Sequence, residues 1–437
     1  MLDINFIRAY PDKVRWALEV KKINLDIDEF LNIDKKRNAA LHELEELQRA
    51  RNEIAARGKT SSLHLREEGK RIKQKIAEQE KRFGTLDEIY ENFMVQMPII
   101  PAPDTPIGND ERGNVEVKNW GHPSQLSFTP KDHVQIGRDL DLLDLEKGVK
   151  VSGYRGYYVK NEAVMLQMGV MMYALQKAIQ SGFKPMIPPT LVNEFALFGS
   201  GYFKGKTYNP DTDEIYKIDN DEKETNGAVK KENKFLVGTA EPSLLAYYAD
   251  DILEEKDLPL KICGFSQCYR SEIGSYGKDT KGIYRVHEFM KVELVCITKA
   301  DVATADSMHE ELIVFSRELH EDLGLPHRQL RICSGDLSTG KYKQYDMEAW
   351  IPSRQAYGET GSASNFLDWQ SRRLNVRYRT NDGDIKYVYM LNDTALPSAR
   401  ILIAIIENYQ HADGSIKVPE ALVPYMNGIR TINRGSA

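Results

Sequence analysis

Two runs of helical spacing separated by a short polar turn constrain this chain more than any other feature. Phe30, Ile33, Arg37, Ala40, Leu44, Leu47, Arg51 and Ile54 recur alternately at three and four residues. The pattern stops at Gly58-Lys-Thr-Ser-Ser62 and resumes with Ile72, Ile76, Gln79, Phe83, Leu86, Tyr90, Phe93 and Met97. A three-four alternation draws one stripe along a helix, the seam of a heptad. Proline cannot continue a helix, so Pro98-Ile-Ile-Pro-Ala-Pro ends the second run. Two seams of similar length joined by a turn predict an antiparallel hairpin, with helices over about 27–57 and 65–97. Such a hairpin zips its seams together and leaves its other faces in water.

Charge is unevenly placed along it. From Arg49 to Arg82 there are eleven Lys/Arg and five Asp/Glu, a local excess of six positive charges in a chain whose net charge is -6. A solvated coiled-coil surface and an arm that lies against a phosphate backbone both account for that excess. At 437 residues the chain exceeds one compact core, so at least two domains are expected. Boundaries at 1–105 and 106–437 follow from the proline-bearing segment after Met97, and the polar stretch to about Lys131 reads as a linker. Hydrophobic residues make up 41% and charged residues 28%, which excludes wholesale disorder. No run of about 18 apolar residues occurs and the N-terminus lacks an apolar core, so no membrane partner and a cytoplasmic location are expected. Cys263, Cys268, Cys296 and Cys333 have no metal-type spacing and read as buried thiols.

Beyond the arm the chain changes character. Val164, Met168, Met171, Leu175 and Ile179 mark one helix face, with Gly182 as its cap. An extended Phe183–Val192 stretch and a polar insertion over 203–234 follow. From Phe235 onward, strand-like runs alternate with turns and a few helices. The whole predicts an α+β protein: a helical coiled-coil arm, then a domain built on an antiparallel sheet flanked by helices.

Phosphate-loop motifs fail. Gly58-Lys-Thr lacks its upstream glycine, Gly335–Tyr342 ends in tyrosine where a small hydroxyl would hold Mg²⁺, and Gly199–Gly205 is too long for a dinucleotide fingerprint. The informative region runs from Lys261 to Ile297, two strand-like segments around a glycine-bearing loop. Alternation puts Arg270 with Glu272 on one face, and Arg285, His287, Phe289, Lys291 and Glu293 on one face of the return strand. Arginine forks match phosphates, an aromatic ring can stack on a purine, and carboxylates accept from amino groups. Exposed cross-strand ion pairs would give the same pattern. Further pieces tip the balance. Thr239 and Glu241 are two apart, as on one strand face. Glu359 and Ser362 are of the kind that hold hydrated Mg²⁺. Arg400 opens the apolar run Ile401–Ile406, which reads as a buried helix.

Together these segments resemble class II aminoacyl-tRNA synthetases. Residues 161–192 are similar to motif 1, the dimer-interface element. Residues 261–297 are similar to motif 2, and 391–410, with Arg400, to motif 3. The Thr239-Ala240-Glu241 triplet, Glu359–Arg373, Gly414–Leu422 and the opening Leu2–Val14 before the coiled coil resemble the bacterial-type seryl-tRNA synthetase family in particular.

That resemblance implies activation of L-serine with ATP and Mg²⁺, then transfer to tRNA(Ser), with tRNA(Sec) as a further acceptor, by a homodimer. It implies that Arg270 holds the α-phosphate, with Ser271 beside it, and that Glu272 meets the adenine amino group. Phe289 would stack on adenine next to Val286, and Arg285 and Arg400 would grip the outer phosphates. Glu359, Thr360, Gly361 and Ser362 would line the Mg²⁺ side. Thr239, Ala240 and Glu241 would lie by the serine amino group, with Glu293, Asn392 and Thr394 around its hydroxyl. Arg49, Arg51, Arg66, Lys70, Arg71 and Lys73 would carry the tRNA-binding arm. The zinc-dependent branch of the family is not expected, since no Cys/His/Glu set has ligand spacing. A paralogue that loads a carrier protein would need no basic arm, and a catalytically dead interaction protein would not keep Arg270, Glu359 and Arg400.

Overall fold

The computed structural model describes residues 1–57, 63–123, 126–219, 222–223, 229–230, 233–273 and 281–434. The expected turn at 58–62 and most of the charged loop before Lys281 lie outside the described residues. The chain divides into two units, Met1–Pro98 and Ile99–Ala437.

The first unit is all helix: α1 (Ile4–Ala9), α2 (Pro11–Val20), α3 (Ile27–Arg57) and α4 (Leu63–Gln96). Asp3 caps α1 by accepting from Asn5 and Phe6, and Pro11 opens α2, where a missing N–H costs nothing. α3 and α4 run antiparallel along the expected seams. Phe30 packs on Tyr90 and Phe93, and Ala40, Leu44 and Ile76 are buried. Polar seam positions find partners across the hairpin. Arg37 pairs with Asp87 at 2.6 Å beneath the Tyr90 ring, and the Gln79 amide donates to the Ala40 carbonyl at 3.0 Å. Arg51 departs from expectation. It is exposed and its guanidinium donates to its neighbour Asn52 at 3.3 Å, while Leu47 and Ile54 on either side of it along the stripe are half-buried. Asp34, outside the seam, is buried and binds Arg8 at 2.7 Å, tying α1 to the base of the arm. Arg49, Arg51, Lys70, Arg71 and Lys73 are all exposed; the side chain of Arg66, in α4, is outside the described part.

The second unit is built on one eight-stranded sheet. Its strands are β1 (Val115–Trp120), β2 (Lys184–Met186), β3 (Leu260–Tyr269), β4 (Glu288–Thr298), β5 (His327–Arg331), β6 (Lys343–Ile351), β7 (Ala356–Leu367) and β8 (Tyr389–Pro397). They pair in the order β1-β5-β6-β7-β8-β4-β3-β2, antiparallel except at the short β2–β3 edge. The helices that matter for the site are α5 (Glu162–Gln180), α6 (Glu241–Ala246), α7 (Val302–Asp322), α8 (Trp369–Leu374) and α9 (Ser398–Asn408). β1 lies inside the segment read as a linker. All six of its residues are exposed, so no burial alternation marked it as a strand.

α7 covers one face of the sheet. Asp301 caps it by accepting from Thr304, and its buried side reaches the strands through polar groups. Ser316 donates to Asp393 at 2.6 Å, His309 bonds the Ala363 carbonyl at 3.0 Å, and His320 bonds the Thr360 hydroxyl at 2.8 Å. Because strand neighbours alternate, Asp393 pointing at α7 sends Asn392 and Thr394 to the opposite face. That opposite face carries the candidate site. All four cysteines are buried free thiols, as expected.

Candidate active site

A cleft of about 500 Å³ opens on that face, lined by Arg270, Glu272, Tyr284, Arg285, Val286, Phe289, Lys291, Glu359, Thr360, Gly361, Thr394, Pro397, Ala399 and Arg400. Arg270, Arg285, Lys291 and Arg400 face only Glu272 and Glu359, so the lining carries an excess of two positive charges. Such a low-dielectric, cationic concavity concentrates a polyanion.

The return strand delivers its residues as alternation predicts. Phe289 and Lys291 line the cleft, and Glu293 follows on the same side. His287 does not. It precedes β4, its Nδ1 bonds the Arg270 carbonyl at 2.9 Å and its ring packs edge-on against Tyr216, so it braces the turn from behind. Arg270 and Glu272 also escape strand periodicity, since β3 ends at Tyr269 and Glu272 sits at φ +54°. A left-handed non-glycine residue is uncommon and needs surroundings that hold it. Arg285 does so, its Nη1 donating to Glu272 Oε2 at 3.2 Å. The Arg270 guanidinium lies 5.5 Å from the Phe289 ring, and its Nε donates to the Gly238 carbonyl at 3.3 Å. Ser271 follows in the same turn, and its N–H donates to the Glu214 carbonyl at 3.4 Å.

Arg400 is the third residue of α9, where the helix dipole favours an anion. Its Nη1 is 3.1 Å from Glu359 Oε2 and its guanidinium stacks 4.6 Å from the Tyr284 ring. Desolvation within the cleft pushes the half-exposed Glu359 carboxyl up, but Arg400 and Arg270 outweigh it and hold Glu359 below its ordinary pKa. Glu359 and Ser362 are three apart and would face opposite ways in a regular strand. The β6–β7 register shifts between Met347 and Glu348, leaving Thr360 as an extra residue in β7. That bulge brings Ser362 opposite Asp346, a carboxyl that sequence reasoning missed. Gln344 Nε2 donates to both Asp346 (2.7 Å) and Ser362 (3.0 Å). Burial, and then the charge of Glu359, push the Asp346 carboxyl up.

Beside the cleft is a cluster of buried polar side chains. Lys291 Nζ is 2.5 Å from Glu293 Oε2, both nearly inaccessible, and the Thr394 hydroxyl lies 3.4 Å from each of those atoms. Asn392, two residues before Thr394 on β8, is also buried. The Thr239-Ala240-Glu241 triplet corrects the strand reading. Glu241 begins α6, and Pro242 fits the first turn of a helix but not a strand interior. α6 then lies directly on β3. A Cβ at Gly264 would come within 2.9 Å of Leu244 and 3.1 Å of Ala240. Thr239 and Ala240 are fully buried. Glu241 accepts from Gln370 of α8 at 2.7 Å and from the Tyr202 hydroxyl at 3.2 Å. Burial, then Glu293, push the Glu241 carboxyl up against the opposing pull of Gln370 and Lys291. Tyr202 and Gln370 were not singled out from sequence, although the glycine-rich segment rejected as a dinucleotide fingerprint contains the tyrosine.

Comparison with known proteins bears on both units. The family described as tRNA synthetase class II core domain (G, H, P, S and T) matches residues 216–409, and that described as Seryl-tRNA synthetase N-terminal domain matches 1–101. A serine–tRNA ligase of Treponema denticola is 40% identical over 434 residues, 97% of this chain and 98% of that protein. The crystal structure of a Pyrococcus horikoshii seryl-tRNA synthetase complexed with ATP has a TM-score of 0.87 and 35% identity, covering 99% of this chain and 100% of the other. A cytoplasmic serine–tRNA ligase of Naegleria fowleri in complex with AMP has a TM-score of 0.84 and 28% identity, covering 100% of this chain and 99% of the other.

Proposed function

Because the chain belongs to the seryl-tRNA synthetase family and aminoacylates tRNA with serine, we propose how its residues divide that work. ATP occupies the cationic cleft and serine the pocket around Glu241, Glu293 and Thr394. The observation that carries this is their adjacency: Lys291 lines the cleft and also bridges Glu293 and Thr394.

A serine carboxylate oxygen attacks the α-phosphorus, the bond to the bridging oxygen breaks, and pyrophosphate leaves. A hydroxyl at the tRNA 3′ end then attacks the serine carbonyl carbon and AMP leaves. Both reactants of the first step are anions, so positioning and positive charge do the work and no protein nucleophile is required. Arg270 meets the α-phosphate, and Arg285 and Arg400 the outer phosphates. Phe289 stacks on adenine beside Val286, and Glu272 accepts from its amino group. Glu241 and Thr239 take the serine ammonium. Glu293, Thr394 and Asn392 close around the hydroxyl. Two carboxylates and a hydroxyl suit a hard cation, so Glu359, Asp346 and Ser362 would hold Mg²⁺. When bound, that ion would neutralise phosphate charge.

Two assembly readings belong here. Val164, Met168, Met172 and Ile179 form an exposed apolar stripe on α5, and Ile187 beyond it is 87% exposed. A second copy of the chain covers that surface, making a homodimer. The exposed cations of the arm contact the tRNA(Ser) backbone, and tRNA(Sec) is a second acceptor. Among the described residues no helix is long and apolar enough to cross a membrane. Serine-dependent ATP–pyrophosphate exchange, followed by charging of tRNA(Ser), tests the whole assignment. Exchange driven equally by another amino acid would overturn it.

A further inference from the structure

The cleft carboxylate Glu272 has a second cation that no motif indicated. Arg155 Nη1 lies 3.4 Å from Glu272 Oε2, the oxygen that Arg285 also engages at 3.2 Å. Both side chains of the Arg155–Glu272 pair are nearly inaccessible, at 4% and 6%. Arg155 lies far from motif 2 in sequence, on the turn between the helix Leu145–Ser152 and the strand Tyr158–Val159.

That turn is built to hold it. A Cβ at Gly148 would come 2.4 Å from Tyr157 backbone atoms, and one at Gly156 2.4 Å from the Gly148 carbonyl oxygen. Only glycines permit so close a crossing. The Tyr157 hydroxyl then donates to the Glu288 carbonyl at 3.0 Å, bolting the turn to the start of β4. Arg155 has φ +65° and Glu272 φ +54°, so both ends of the pair sit in the left-handed region that L-residues seldom occupy. Strain concentrated at both ends of one buried contact points to a requirement on their geometry.

We propose that Arg155 is a positioning residue for base selection: with Arg285 it fixes the rotation of the Glu272 carboxylate, so that the cleft accepts a 6-aminopurine. An ionised carboxylate is an acceptor only. It rewards the amino group of adenine and opposes the carbonyl oxygen at the same place in guanine. Two guanidinium groups against one oxygen, at 3.4 and 3.2 Å, keep the carboxylate from turning, which a single flexible partner would not do.

The inference rests on reading Glu272 as the partner of adenine, so the test separates the two. Pyrophosphate exchange is measured with ATP and with purine riboside 5′-triphosphate, which lacks the amino group, for wild type, Arg155→Met, Arg155→Lys, Glu272→Ala and the Arg155→Met/Glu272→Ala double variant. Wild type should favour ATP in kcat/KM by about tenfold or more, the worth of one charge-assisted hydrogen bond. Arg155→Met should lose most of that preference through a raised KM for ATP, with kcat and the KM for serine little altered. Arg155→Lys should keep part of it, and Arg155→Met should have no further effect on the preference once Glu272 is gone. A full preference for ATP in Arg155→Met overturns the role of Arg155 alone. Equal losses with both nucleotides in Arg155→Met and Arg155→Lys overturn it too, as the mark of a merely structural residue. No preference in wild type overturns the reading of Glu272 and this inference with it.

Discussion

Replacing Arg270 with alanine tests the centre of the proposed chemistry. Arg270 is one of four cations lining a cleft that has two carboxylates. A guanidinium about 4 Å from a phosphate charge, at an effective dielectric of about 20, gains about 4 kcal/mol. Arg270 is only half-buried, so water screens part of that. Removing one preorganised contact to a developing charge commonly costs ~2.7–4 kcal/mol, which is a rate loss on the order of 10²–10³. Arg285, Lys291 and Arg400 remain to bind the polyphosphate. The KM for ATP should therefore rise only several-fold, while kcat for pyrophosphate exchange carries most of the loss.

Arg270 has a competing duty, because its Nε also supports the Gly238 carbonyl just before the Thr239–Glu241 turn. Arg270→Lys separates the two, since it keeps a cation and loses that particular bond. If the phosphate role dominates, lysine should recover at least about tenfold over alanine, as expected when charge without the bidentate fork remains. If support of the turn dominates, both variants should raise the KM for serine and leave kcat near normal. The second outcome, or exchange within about fivefold of wild type in a folded Arg270→Ala, would refute the assignment.

Wild type should reject alanine relative to serine by on the order of 10⁴ in exchange assays, because alanine lacks the hydroxyl and leaves part of the hydrogen-bonding capacity of Glu293 and Thr394 unmet. Thr394→Val should erode that ratio by at least about tenfold, through weaker serine use with no compensating gain for alanine. Neutralising Arg49, Lys70, Arg71 and Lys73, which are exposed on the arm, should leave serine activation intact. It should also weaken tRNA binding and flatten its salt dependence by ~0.7–0.9 per lost phosphate contact. Unchanged charging at physiological salt would favour a merely solvated coiled coil. Acid should destabilise the catalytic unit through buried histidines: burial pushes His309 down to about 4 and His320 down to about 3. Both are neutral in the fold, whereas the unfolded chain takes up their protons below about 6.5, so stability falls as pH drops through that value toward the folded pKa values. At pH 5 each should cost about 2 kcal/mol relative to pH 8. His309→Gln should reduce the pH slope of urea unfolding, and an unaltered slope would count against this origin.

What the sequence made legible was whatever obeyed a regular period. Heptad spacing located the packed part of the arm, and two-residue alternation located Phe289, Lys291 and Glu293. The apolar run after Arg400 located a helix that presents a cation at its beginning. Where backbone departs from the period, the same rules misplace side chains. His287 lies just before β4, so alternation counted through it assigned it to the wrong side. Thr239 and Glu241 were read on a strand because proline at the second position of a short helix leaves too few residues to show a helical period. Arg51 fell on the stripe by spacing alone, and spacing does not report contact: its side chain is exposed.

The missed residues share a different cause. Asp346, Gln370, Tyr202 and Arg155 each reach the site beside a residue distant in the chain: Asp346 opposite Ser362, Gln370 and Tyr202 on Glu241, and Arg155 on Glu272. A lone charged or amide side chain in sequence looks the same whether it faces water or a buried counterpart, since its partner, not its own identity, makes burial tolerable. Strand register supplies what composition does not. Once Asp346 is known to oppose Ser362 across a bulge at Thr360, its closeness to Glu359 follows. Residue chemistry alone paired Glu359 with Ser362, a carboxylate and a hydroxyl of the kind that hold Mg²⁺, although no regular strand would place residues three apart on one face. Arg155 lies outside the quoted motifs, and its turn declares itself only through two glycines at positions 148 and 156 that close approach of the backbone makes necessary. Glycines that leave no room for a Cβ are therefore the sequence mark most worth following toward side chains that act through another residue.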